Sequence, residues 1–403
     1  MKNIYLDNNA TTRVAEEVVE EMLPYFSNLY GNASSMHSFG GNIRHKIDYA
    51  RQQAAQLLNC GPEELIFTSG GTESDNTAIR SVLELNPNKR HIVTTRVEHP
   101  AVRTMARHFQ RRGYRLTELP VDAYGRIDLD QLEAAISNDT ALVTIMHANN
   151  ETGVIFPVDK IAPLVKSKGV LFHTDAVQAV GKMPYNLADI PVDLLSLSGH
   201  KLHGPKGIGI LYVRRGTPLS PLIMGGHQEF SRRAGTENTP GIVGLGKACE
   251  LAQKNMEEEN GRVRQMRDWL ETHLLRVCPD ARVNGDRESR LPNTTNISFE
   301  YVEGEAILLL LDQLGIAASS GSACTSGSLE PSHVLRAMGV PFTAVHGSIR
   351  FSLSRYNTID EIEYVIRETP GVIKRLRQIS MFSSPPDAGA PRERKPRLDR
   401  ISG

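Results

Sequence analysis

Between about residue 60 and residue 215, short β-type runs alternate with amphipathic stretches; the runs are Glu64–Ser69, His91–Thr95, Leu142–Ala148, Val170–Thr174, Leu194–Ser198 and Gly209–Val213. Such an alternation closes into an α/β sheet of mostly parallel strands with helices over its faces. Between the runs, Asp128-Leu-Asp-Gln-Leu-Glu-Ala-Ala-Ile and Pro157-Val-Asp-Lys-Ile-Ala-Pro-Leu-Val place apolar residues three and four apart, which predicts covering helices. After about residue 240 the pattern changes to a long charged helix over Gly244–Arg276, a strand at Asn296–Phe299, a helix at Gly304–Leu314 and a strand near Ser348–Leu353. A large domain over residues 15–255 and a smaller α+β domain from residues 1–14 and 256–380 are therefore expected. The segment 381–403 combines proline and charge with few apolar groups and is expected to be a disordered tail.

The composition excludes several classes of function. Lysine plus arginine and aspartate plus glutamate both number 46, so there is no bulk charge to hold nucleic acid or an anionic membrane. Small molecules and proteins are the expected partners. Four widely spaced cysteines, Cys60, Cys249, Cys278 and Cys324, give neither a disulfide framework nor paired zinc knuckles, which points to a reducing compartment. The first residues lack the apolar core of a signal peptide, and no run reaches the roughly 20 apolar residues of a membrane span. The cytoplasm is the expected location.

The residue types that carry chemistry stand at the ends of the predicted strands. Ser198-Gly199-His200-Lys201 follows Leu194–Leu197 and precedes the return Gly204-Pro205-Lys206-Gly207. A lysine held there suits attack on an aldehyde, since burial lowers its pKa; a solvated surface lysine is the plain alternative. Asp175, directly after a strand, could face a protonated pyridine nitrogen or cap a helix. In Ser69-Gly70-Gly71-Thr72-Glu73-Ser74 the glycines, a helix N-terminus and a hydroxyl suit a phosphate, while a capping box of Thr72 and Asp75 is the other reading. The segment lacks the lysine of a nucleotide P-loop. His99 at another strand end suits ring stacking or proton transfer, with a structural histidine as the plain alternative, and Asn149-Asn150-Glu151-Thr152-Gly153 suits either amide donors aimed at the same crevice or an ordinary turn.

Taken in order, Gly71-Thr72-Glu73-Ser74, Glu98-His99, Asn149-Asn150-Glu151-Thr152-Gly153, Asp175-Ala176-Val177-Gln178 and Ser198-Gly199-His200-Lys201 resemble the class V, fold-type I pyridoxal-phosphate enzymes. Within that group, Arg233-Ala234-Gly235-Thr236-Glu237-Asn238 and the run from Ser319 through Cys324 to His333 resemble the cysteine desulfurases of the NifS/IscS type, over about residues 3 to 375. Gly327 and His333 look closer to the nitrogen-fixation branch. The resemblance implies a pyridoxal 5'-phosphate cofactor with Lys201 as its Schiff-base lysine, Asp175 against the ring nitrogen, His99 stacked on the ring and Gln178 on its phenolic oxygen. It implies phosphate contacts from Gly71, Thr72, Ser198 and His200, with Thr236 reaching over from the other subunit of a homodimer, and a substrate carboxylate held by Asn150 and Arg350. The substrate implied is L-cysteine, and the sulfur acceptor an iron-sulfur scaffold protein of the NifU/IscU type. No resident metal is implied, although Cys324 would meet a cluster during transfer.

Cys324 is the expected nucleophile. A lone cysteine is ordinarily a small inert hydrophobe, but serine, glycine, alanine and threonine flank this one on both sides. Those neighbours cannot form a core and describe a mobile tether, which suits a thiol that must reach a cofactor and then deliver its cargo elsewhere.

Overall fold

The computed structural model describes residues 3–320 and 331–380, so Cys324, Gly327 and the expected tail lie outside the described residues. Twelve strands are present among the described residues: β1 (Ile4–Tyr5), β2 (Leu65–Thr68), β3 (His91–Thr95), β4 (Arg115–Leu119), β5 (Thr140–Thr144), β6 (Leu171–Asp175), β7 (Leu194–Ser198), β8 (Gly209–Val213), β9 (Ala281–Val283), β10 (Thr294–Phe299), β11 (Ile316–Ala317) and β12 (Ser348–Ser352). Seven of them form one sheet in the order β2-β8-β7-β6-β5-β3-β4. Only β8 runs against its neighbours, so the carboxyl ends of the other six share one edge.

Why these runs become strands is visible in their burial. Leu65, Phe67, Val93, Val143, Phe172, Leu195, Leu197, Ile210 and Tyr212 enter one apolar cluster, while Ile66, Ile92, Leu142, Leu194 and Leu211 enter another on the opposite face. Alternate side chains point to opposite faces of a strand, so a sheet covered on both sides needs near-continuous apolar runs. Helix Gly71–Leu85 covers one face with Ala78, Ile79, Val82 and Leu83. Helices Ser38–Leu58 and Val158–Ser167 cover the other. The edge strand β4, Arg-Leu-Thr-Glu-Leu, is partly exposed and carries two charges, so it has no apolar run to announce it.

The strand expected over Leu142–Ala148 ends earlier, at Thr144. The chain nevertheless stays alongside β6, because the amides of Ile145 and His147 donate to the carbonyls of His173 and Asp175 at 3.1 and 2.8 Å. That extended path carries Asn149 and Asn150 to the sheet edge.

A second, three-stranded antiparallel sheet, β12-β10-β9, packs Ile297, Phe299, Ile349 and Phe351 against helix Ile359–Ile379. The helix Thr239–Val277 serves both cores: Ile242 to Ala252 contribute to the first, and Val263 to Leu274 to the second. The N-terminal segment joins this second region, since β1 pairs with β11 and Asp7 bridges to Ser352. No helix among the described residues is long and apolar enough to cross a membrane.

Candidate active site

Parallel strands leave a crevice outside their carboxyl ends, and five loops of the large sheet meet there. They bound a cavity of about 270 Å³ whose lining includes Gly71, Thr72, His99, Asn150, Asp175, Gln178, Ser198, His200, Lys201 and Arg350. Ten of the expected site residues are thus brought together. Thr236 is not on this cavity; it lines a separate one of about 260 Å³ with Ser69, Arg233 and Asn238.

At one end, the turn from β2 into helix Gly71–Leu85 is held close to the sheet. Gly70 sits at φ +152°, and a Cβ on Gly71 would come within 2.6 Å of Val177 Cγ2. No capping box forms: the N-cap is Gly70, without a side chain, so the first amides of the helix stay available to an anion beside Thr72 and Ser198. His200 stands next to them, its Nδ1 within 3.1 Å of Thr11 Oγ1, and burial pushes its pKa down to about 4.

Beside Val177, Asp175 closes β6 and accepts the Val177 amide at 2.9 Å. A turn follows it where the capping alternative required a helix. His99 caps helix Pro100–Gln110 by accepting the Ala101 amide on Nδ1 at 3.2 Å, which leaves Nε2 to carry the proton of a neutral ring. Burial lowers the His99 pKa and raises that of Asp175. Asp75 joins them: one ligand-type atom from each of Asp75, His99 and Asp175 lies within 4.8 Å of the others. Asp75 is 1% exposed, its Oδ1 has no hydrogen-bond partner among the described residues although His173 Nε2 lies 3.6 Å away, and burial followed by the charge of Asp175 raises its pKa well above the usual carboxylate value. Behind them Glu98, pushed up to about 8 by burial, accepts the Thr95 hydroxyl at 2.8 Å and the Met146 amide at 3.0 Å.

The remaining wall carries the positive groups. Lys201 Nζ donates to the carbonyls of Asn9 and Ala10 at 2.5 and 2.7 Å. Arg350 on β12 is 2% exposed; Nη2 pairs with Asp7 at 2.7 Å and Nη1 donates to the Asn150 carbonyl at 3.0 Å, while Nε has no hydrogen-bond partner among the described residues.

With this geometry in view, the known relatives are informative. Residues 4–365 match the model of the family described as aminotransferase class-V. A cysteine desulfurase of Trichormus azollae is 58% identical over 384 residues, covering 95% of this chain and 96% of that protein. The cysteine desulfurase NifS of Azotobacter vinelandii is 55% identical over 385 residues, covering 95% and 96%. The chain belongs to the class-V aminotransferase family, among its NifS-type cysteine desulfurases. A solved NifS-like protein superposes on this class-V chain with a TM-score of 0.88 at 40% identity, covering 93% of this chain and 100% of that one.

One part of the class-V site escaped the motif reading. Asn9 and Ala10 line the cavity, and Asn9 is pinned by Ser352 Oγ on its amide at 2.9 Å and by Thr294 Oγ1 and the Asn150 carbonyl on its side-chain nitrogen at 2.9 and 3.1 Å. The only local signal is the polar run Asp7-Asn-Asn-Ala-Thr-Thr after a short apolar strand. Asp75 was read only as a capping residue.

Proposed function

We propose that the chain uses this cavity to take sulfur from L-cysteine with pyridoxal 5'-phosphate as cofactor, leaving L-alanine and a persulfide on Cys324. The observation that carries the reading is one cavity uniting an inward-facing lysine, a buried aspartate beside a neutral histidine, and a buried arginine, in a chain 58% identical to a cysteine desulfurase. The donor set fits a phosphorylated pyridine aldehyde: open helix amides with Thr72, Ser198 and His200 for the phosphate, Asp175 for the ring nitrogen and Lys201 for the aldehyde. When bound, the cofactor supplies an electrophilic carbon and an electron sink for the bond broken at the substrate Cα.

The chain's own residues supply the rest. Arg350, held by Asp7, and the Asn150 side chain bind the substrate carboxylate. Lys201 Nζ would take the Cα proton, while His99 and Gln178 would hold the cofactor, the one against its ring and the other by donating to its phenolic oxygen. The Cys324 thiolate attacks the substrate sulfur, so an S–S bond forms as the C–S bond breaks. The other thiols are poor rivals: burial pushes Cys60 and Cys249 up to about 12 and Cys278 up to about 11. Thr236, on its separate cavity, completes the phosphate site of a second copy in a homodimer. The acceptor we assign is an iron-sulfur scaffold of the NifU/IscU type, serving nitrogenase, in the cytoplasm.

Purified chain given L-cysteine, a reductant and the cofactor should form alanine and sulfide in equal amounts, with no amino-group transfer to keto acids. Keto-acid-dependent turnover without sulfide would replace this reading with an aminotransferase.

A further inference from the structure

Lys182 lies outside the cavity just described and beside a smaller one of about 40 Å³ that it shares with Lys201. Although the residue keeps some exposure, its amine end turns inward and grips both oxygens of Gln178, the main-chain carbonyl at 2.9 Å and the amide Oε1 at 3.4 Å. Its own carbonyl is tied to the long helix by Asn260 Nδ2 at 2.7 Å, so the anchor is fixed from both ends. Burial, followed by the charge of Lys201, pulls the Lys182 pKa down to about 7, yet charged or neutral the amine donates to both oxygens; an ammonium has three donors and no acceptor, so the atom of the Gln178 amide facing it is the oxygen. The amide nitrogen is thereby sent the other way, where it donates at 2.9 Å to the Asn9 carbonyl. That carbonyl is shared with Lys201 Nζ at 2.5 Å, which competes for it; the grip of Lys182 does not depend on where Lys201 points. At 3.4 Å the contact to Oε1 is long, and it acts through orientation by charge more than through bond strength.

We propose that Lys182 is a positioning residue that presents the N–H of Gln178, and not its oxygen, to an acceptor in the active-site cavity. The inference rests on the reading of Gln178 as a ligand of the cofactor's phenolic oxygen. Without Lys182, Oε1 loses its donor, and only the bond to the Asn9 carbonyl, which Lys201 contests, opposes a flip of the amide. An acceptor then meets an acceptor for part of the time.

The test is a double-mutant cycle read as affinity of the apo-protein for pyridoxal 5'-phosphate and as the absorbance maximum of the bound cofactor. Lys182→Met should weaken binding about tenfold and move the maximum in the same direction as Gln178→Ala. In a Gln178→Ala background, Lys182→Met should add less than about twofold, because its effect runs through that amide. Lys182→Arg, whose guanidinium can also span two oxygens, should stay within about threefold of the native affinity. Additive effects in the cycle, or native affinity and spectrum in Lys182→Met, overturn the proposal. If Lys182→Met does not fold, Lys182→Arg decides alone: retained affinity supports the role, and a tenfold loss at a native melting temperature ends it. Gln178→Ala with native affinity and spectrum would instead remove the cofactor reading of Gln178, and the role of Lys182 with it.

Discussion

The end of the cavity around Asp175, His99 and Asp75 is assembled from residues that each lie within a few positions of a strand or helix end of one sheet layer, whereas the end around Arg350 is closed by Asp7, 343 residues away in sequence. The first end is dry and short of charge: a neutral imidazole, carboxyls raised by burial, and an orphaned Asp75 oxygen. The second pairs its charges, Arg350 with Asp7, and ties its carbonyls to Lys201 and Arg350. The difference separates two tasks. On the proposed reading, low dielectric at the first end would fix where a proton and a ring charge sit, and the paired arginine at the second would hold a carboxylate in place.

Lys201 stands between the two ends, and its removal should have the largest effect. Lys201→Ala is expected to lower alanine formation at least about a thousandfold, while the apo-fold and its melting curve stay native. Borohydride should no longer fix cofactor to the chain; continued fixation would identify another lysine, with Lys206 the nearest in sequence, as the attachment point. Next in size, Asp175→Ala should cut kcat by about a hundred- to a thousandfold with KM for cysteine little changed, since it touches the ring end alone. Arg350→Ala should do the reverse: KM rises about a hundredfold, with a smaller change in kcat. Its stability should fall too, because Asp7 is left without its partner. Equal KM and kcat effects from the two variants would dissolve the division between the ends.

The smallest expected effect on activity comes from Glu98, which acts instead on the pH dependence of stability. Burial raises Glu98 from 4.5 to about 8, so between those pH values the native state holds a proton that the unfolded chain has lost. Stability from this group is therefore fully present at low pH and is lost as pH rises from about 4.5 to about 8, by at most about 1.4 kcal/mol per pH unit. Glu98→Gln should flatten that part of the curve in denaturant titrations. An unchanged slope would mean that the ring end is wetter than its burial implies.

The first end was legible in the sequence because each of its residues sits beside a local signal. Asp175 follows an apolar run, His99 precedes a helix-starting proline, and Gly71 opens an amphipathic stretch. The second end had no such signal. Asn9 is placed by Ser352 and Thr294, partners that only the tertiary fold brings near, and β1 is two residues long and pairs with β11 far along the chain. Motif resemblance found Arg350 and Asn150, yet it did not show that the Asp7–Ala10 segment ties them to Lys201. Asp75 has no signal of its own for a related reason: its spacing from Thr72 suits a cap, but Gly70 occupies the N-cap, and the Asp75 carboxyl lies within 4.8 Å of His99 and Asp175.

In the proposed reaction sulfur leaves cysteine for Cys324, and peptide mapping of the chain after one turnover with sulfur-labelled L-cysteine reads out that transfer. Label should appear as a persulfide on Cys324 alone, and not at all in a Cys324→Ala variant that still binds cofactor and cysteine. Label on Cys60, Cys249 or Cys278, whose thiols burial holds up at about 11 to 12, would contradict it.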